Sequence, residues 1–69
     1  GTKYEPVFEL INSDKKYKNS IVVYFTDGYG SHSIPKPKCK KLIWVLSTEN
    51  GMKPSLSVKE PYGLITTID

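Results

Sequence analysis

The chain contains no arginine, one cysteine, one histidine and no long apolar run. Arginine supplies the rigid fork that reads phosphate or guanine, so ten lysines alone offer only salt-sensitive, nonspecific attraction to nucleic acid. A formal charge of +3 and a pI near 9.0 are correspondingly mild. The single Cys39 cannot close an internal disulfide. The usual staple of very small secreted domains is therefore missing, and a reducing, cytoplasmic location is expected. The longest apolar runs, Ile21-Val22-Val23-Tyr24-Phe25 and Leu42-Ile43-Trp44-Val45-Leu46, fall far short of the roughly 20 residues of a membrane-spanning helix. No membrane partner is expected. The opening Gly-Thr-Lys-Tyr-Glu-Pro lacks the basic head and apolar stretch of a secretory leader. The missing initial Met is compatible with a cut boundary.

Catalytic patterns are missing as well. His32 has no second His or Cys at ligand spacing, and the HExxH pair of a zinc peptidase does not occur. Cys39 is flanked by Lys38, Lys40 and Lys41, but no His stands near it in sequence to activate a catalytic thiol. There is no Ser-His-Asp signature and no phosphate-cradling glycine loop. No catalytic residue and no cofactor-binding residue is assigned, and a non-enzymatic role is expected.

At 69 residues the chain is one small domain or a piece of one, since so short a chain buries only about 60% of its unfolded surface. Val7, Phe8, Leu10 and Ile11 recur at three- and four-residue spacing between polar residues, which predicts an amphipathic helix over about 5–18. Pro6 suits the first turn, and Lys15, Lys16 and Lys18 complement the negative end of the helix dipole. Strands are expected at about 20–26, 41–47 and 63–68. The first two have the continuous β-branched and aromatic composition of strands covered on both faces. The third alternates as an edge strand does. The Gly-, Ser- and Pro-rich stretch between the first two strands is just long enough for a parallel crossover, expected to be right-handed. A second irregular stretch, with Asn50-Gly51, Pro54 and Pro61, leads to the last strand. Parallel sheets normally carry helices on both faces, and this chain supplies one. A partner or a further segment is needed to cover the remainder.

Asp27 stands where a buried strand meets a glycine-containing loop, the end of an open α/β sheet at which ligands bind. Locally, Asp27-Gly28 reads first as a turn whose carboxylate accepts nearby backbone N–H groups. Functionally, it is an oxygen ligand for a hard cation, since Mg²⁺ takes one or two carboxylates with hydroxyls and water. Thr2-Lys3-Tyr4-Glu5 has the spacing of a capping box, yet Pro6 then falls awkwardly, so the helix either starts at this cap or begins one turn later and frees the Thr2 hydroxyl.

Gly1-Thr2, Pro6-Val7-Phe8, the strand Ile21-Val22-Val23-Tyr24-Phe25 running into Thr26-Asp27-Gly28-Tyr29-Gly30, then Leu42-Ile43-Trp44-Val45-Leu46 and Pro61-Tyr62-Gly63-Leu64-Ile65 carry a family resemblance. In that order they resemble the C-terminal half of a bacterial von Willebrand factor A-like (VWA-like) domain. The narrower likeness is to the group that follows a metallopeptidase-like region in uncharacterised bacterial proteins. The resemblance spans nearly the whole chain, and its specificity lies in the ordered combination. It implies an α/β fold: a partial Rossmann-like (VWA-like) half-sheet of about three strands with one main amphipathic helix, residues 1–69 forming a single segment.

The family binds a divalent cation, commonly Mg²⁺, at a metal-ion-dependent adhesion site built from three loops. The resemblance implies that Thr2 matches the threonine of the second loop and Asp27 the aspartate of the third. The first loop, with its Asp-x-Ser-x-Ser motif, has no counterpart in the sequence. Lys3 stands where this group commonly has an acidic residue, and its ammonium disfavours a nearby cation. The resemblance thus implies an interaction module whose intact form presents the metal to an acidic side chain of a protein partner. This segment alone is expected to bind metal weakly or not at all. With the family's strand order 3-2-1-4-5-6, the present strands are the fourth to sixth. The edge at Ile21-Val22-Val23-Tyr24-Phe25 is then bare and prone to self-association.

Three other readings are weighed. Lys36-Pro37-Lys38-Cys39-Lys40-Lys41 with Tyr24, Tyr29 and Trp44 is the raw material of a small Lys-rich nucleic-acid-binding domain. Tyr24 and Trp44 fall in buried strands, however, and a solvated crossover loop is the better reading. A regulatory part of a metallopeptidase rests on family context alone. A phospho-acceptor role for Asp27 ranks last, because companion carboxylates are not visible.

Overall fold

The computed structural model describes residues 2–48 and 54–68; Gly1 and the Asn50-Gly51 pair lie outside them. Helix α1 runs over Glu5–Ser13, with Tyr4 at its N-cap and Pro6 in its first turn, where the missing N–H costs nothing. Tyr4, Phe8 and Ile11 point into the core, whereas Val7 and Leu10 remain exposed. The buried stripe is therefore narrower than the sequence pattern indicates.

The helix ends five residues before the expected boundary at 18. Asp14 adopts an extended backbone, φ −118° and ψ 118°, and its carboxylate accepts the Lys16 N–H at 3.0 Å. This caps a separate 3-10 turn, Lys15–Tyr17. An Asp competing for a nearby backbone N–H is a recognised helix stop. The last turn of α1 contains no basic residue, so the lysines do not complement its dipole as expected. Lys16 instead lies 3.7 Å from the Asp14 carboxylate and 5.1 Å from the Tyr17 ring centroid.

Three strands follow: β1 Ile21–Thr26, β2 Lys41–Ser47 and β3 Leu64–Ile68. They form one parallel sheet of order β1-β2-β3, so the fold is a mixed α/β arrangement. The register pairs Tyr24 with Trp44 and Trp44 with Ile65. Parallel neighbours require long crossovers, and residues 27–40 and 48–63 supply them.

Period-two alternation divides the sheet residues between two unlike faces. On one face Val22, Tyr24, Leu42, Trp44 and Leu46 join Tyr4, Phe8 and Ile11, together with Ile34 from the first connection and Leu56 and Val58 from the second. At its centre Tyr24 and Trp44 lie 5.2 Å apart by ring centroid, with Tyr4 edge-on to both at 5.3 Å and Phe8 stacked on Tyr24 at 5.8 Å. The Trp44 indole N–H donates to the Pro61 carbonyl at 3.0 Å. Burying one such side chain contributes about 1.5–3 kcal/mol.

The other face is bare. Ile21, Val23 and Phe25 of β1 and Leu64 and Ile68 of β3 are all exposed. Strand β1, expected to be covered on both faces, is covered on one. The cause is topological: α1 and both connections contribute to the same side of the sheet. Val45 escapes exposure because its register neighbours Phe25 and Thr66 flank it on the central strand. Both β1 and β3 have an outer edge that pairs with no strand among the described residues. None of the helices described is long and apolar enough to cross a membrane.

Candidate functional site

The carboxyl ends of the strands gather three segments, residues 2–5, 26–32 and 55–59, and side-chain hydroxyls tie them together. Thr2 and Gly30 form a parallel β-bridge, and the Ser31 N–H donates to the Thr2 carbonyl at 3.0 Å. The segment holding Thr2 therefore lies directly beside the loop that Asp27 opens. The expected capping box does not form. No side chain caps α1, and Glu5 turns instead to accept the Ser31 hydroxyl. Thr2, exposed and a full turn ahead of the helix, follows the later-start alternative.

Ser31 is the hub of this cluster. Its Oγ accepts the Tyr4 N–H at 3.0 Å while donating to the Glu5 carboxylate. That hydrogen bond is the main reason the Glu5 carboxyl is held below its ordinary value, with backbone donors and Lys3 also lowering it against a partial desolvation. Ser57 performs the same task from the second connection, accepting the Gly30 N–H at 3.0 Å and donating to the Ser31 carbonyl at 2.9 Å. The Ser57 N–H in turn reaches the Gly28 carbonyl at 2.8 Å, and the Lys59 N–H the His32 carbonyl at 3.0 Å. Beneath them the Tyr4 hydroxyl and Thr26 Oγ1 share a hydrogen bond of 2.8 Å, joining the cluster to the aromatic core. Burial pushes the neighbouring Tyr24 phenol above its usual value, and Tyr4 adds to the shift.

Two glycines permit this convergence. Gly28 has φ +93°, and a Cβ there would collide with the Ser55 carbonyl. At Gly30 a Cβ would run into the Tyr4 ring and the Thr2 carbonyl. Only glycine allows three backbones to approach so closely.

Asp27 is half-buried, and its Oδ1 accepts the Tyr29 N–H at 2.9 Å. This is the local turn anticipated from the Asp-Gly pair, and Thr26 Oγ1 supports it by accepting the Gly28 N–H at 3.2 Å. The turn holds the carboxylate through one oxygen, while a cation ligand requires only the other. The donors of this region are a carboxylate and a hydroxyl, the oxygen class that Mg²⁺ takes. Among the described residues no group of three or more His, Cys, Asp or Glu side chains converges on a metal position. His32 is exposed, and Cys39 donates only to the Lys41 carbonyl, at 3.5 Å.

Ser31, Ser57 and Glu5 are the residues that sequence reasoning missed. Both serines lie in stretches that read as irregular connections, and nothing local indicates which carbonyl or amide each would meet. Glu5 did carry a signal in its spacing from Thr2, but the spacing suggested the wrong partner. Compared with protein-family models, curated proteins and solved structures, the chain has no match.

Proposed function

We propose that the chain is the C-terminal half of a VWA-like, Rossmann-like domain, a non-enzymatic module of a bacterial cytoplasmic protein that binds another protein. Joined to a segment carrying the Asp-x-Ser-x-Ser loop, it presents a divalent cation, Mg²⁺ in the first instance, to an acidic side chain of that partner. Thr2 and Asp27 are the ligands it contributes.

The observation that carries this reading is the Thr2 bridge to Gly30, which brings the threonine segment against the Asp27 loop at the carboxyl end of β1. A doubly wound sheet places its ligand at the point where strand order reverses. The outer edge of β1 pairs with no strand among the described residues, so the strand that would complete such a crevice has a place to pair. The bare apolar face supports the same reading, because parallel sheets are covered on both sides.

The test is a titration with Mg²⁺ and Mn²⁺ followed by backbone amide spectra. The 69-residue chain is expected to show no saturable shift at Thr2 or Asp27. A longer chain that includes the Asp-x-Ser-x-Ser loop should bind, and Asp27→Asn should abolish that binding. Saturable, tight binding by the short chain, or none by the longer one, contradicts the proposal.

A further inference from the structure

The lysines are strongly segregated. Seven of the ten fall in residues 15–18 and 36–41, and the fold brings these two segments together. Asn12 clamps the second segment from α1, donating to the Lys36 carbonyl at 3.0 Å and accepting the Lys38 N–H at 2.8 Å. The Lys40 N–H donates to the Ser20 carbonyl at 3.0 Å. All seven lysines are exposed. Among the described residues only Lys16 has a carboxylate within ion-pair reach, that of Asp14.

This pole does not belong to the Thr2 and Asp27 region. Lys41 opens β2 opposite Ile21, at the amino end of the sheet, whereas Asp27 follows the carboxyl end of β1. A strand of that length separates them by about 20 Å at roughly 3.3 Å per residue, more than two Debye lengths at physiological salt.

At this pole Lys36, Lys40 and Lys41 line a cleft of about 350 Å³ together with Leu42, Tyr62 and Leu64. Leu64 is also the first residue of β3, whose other edge pairs with no strand among the described residues. Leu64–Ile68 contains no proline and no charge, and every residue of it is exposed. Natural edges are normally blunted by such residues. An unblunted edge is the template for strand addition by an extended peptide. The charged side chains that line the cleft are all lysines, whereas the acidic Glu60 and Asp69 flank β3 in sequence.

We infer that the open edge of β3 and the lysine-lined cleft at its start form a docking site for an extended acidic segment of another protein. The peptide backbone pairs with β3, and its carboxylates face Lys36, Lys40 and Lys41. Charge complementarity selects the occupant. A second copy brings the same lysines and the same net charge of +3. A nucleic acid finds no arginine, and Tyr24 and Trp44 are committed to the aromatic core.

The test uses the 69-residue chain and the synthetic peptide Thr-Glu-Val-Glu-Thr-Glu-Val, followed by amide spectra and fluorescence anisotropy. Saturable shifts are expected in Leu64–Ile68 and residues 36–41. The triple variant Lys36→Gln, Lys40→Gln, Lys41→Gln should bind about tenfold more weakly, the sum of three modest surface pairs, and added salt should weaken binding of the original chain. The double variant Lys3→Gln, Lys59→Gln should bind as the original does. Equal binding of the lysine-for-glutamate peptide, unchanged affinity in the triple variant, or shifts confined to β1 would overturn the inference. So would tighter binding of an oligo-dT strand at the same residues, or dimerisation through β3 without peptide.

Discussion

Tyr24 and Phe25 are consecutive aromatic residues on β1, yet Tyr24 packs between Phe8 and Trp44 while Phe25 is 68% exposed. The contrast extends to Trp44 of β2 but not to β3, which is exposed on both faces, Ile65 beside Trp44 included. Trp44 is fully buried, and Leu64 and Ile68, on the opposite face, are exposed. Hydrophobicity does not separate the two sets; topology does. Helix α1 and both connections contribute to one side, so among the described residues the other side has no covering layer and only Val45, flanked on the central strand by Phe25 and Thr66, is buried there. Exposed apolar patches of this kind normally belong to an interface, and in the reading proposed above the bare face is where the remainder of a larger layered structure packs.

The largest effect that tests this contrast comes from the finished face. Phe8→Ala removes a fully buried ring from the aromatic cluster and should cost about 3–5 kcal/mol. That is enough to unfold so small a domain, with loss of the cooperative transition in circular dichroism. Phe25→Thr on the bare face should shift the stability of the 69-residue chain by less than about 0.5 kcal/mol. In a chain extended by the proposed upstream half, the same substitution should become costly, about 2–4 kcal/mol by urea denaturation, because the ring is then buried. A large cost of Phe25→Thr in the short chain breaks the comparison.

Smaller effects sharpen it within the loop cluster. Ser57→Ala deletes both the acceptor for Gly30 and the donor to Ser31. A loss of about 1 kcal/mol is expected, with faster amide exchange at Gly30 and Ser31 and little change in β2. The smallest effect is that of pH. Glu5 is held below its ordinary value of 4.5 chiefly by Ser31, so its contribution is present above 4.5 and is lost as pH falls through the lowered folded value. Ser31→Ala should return the Glu5 carboxyl toward 4.5, read from its ¹³C chemical shift against pH, and should flatten that part of the acid dependence.

Much of the fold was legible because it rests on local pattern. The runs at Ile21 and Leu42 are β-branched and bounded by turn residues, and the three strands appear within a residue of where composition places them. The parallel pairing of the first two followed from the length of their connection, and the edge position of the third from its alternation. The end of α1 was not legible, since Ser13 and Asp14 compete with a helical periodicity that continues past them in sequence. The coverage of β1 was misread for a related reason. An apolar run reports that a strand is suited to burial on both faces, not that its own chain supplies both covers. At the site, Asp27 and its turn could be read from two adjacent residues, whereas the meeting of Ser31 and Ser57 depends on contacts 26 residues apart. Such contacts leave no local signature.

The central claim is that β1 and the bare face are the unfinished side of a larger sheet. Amide hydrogen exchange over Ile21–Thr26, measured in the 69-residue chain and in a chain extended upstream through the Asp-x-Ser-x-Ser strand, tests it most directly. The account predicts that the amides at the outer edge of β1 exchange quickly in the short chain and become protected in the extended one, while the amides of β2 are protected in both. Protection of all of β1 in the short chain, or continued fast exchange at its outer edge in the extended chain, would contradict it.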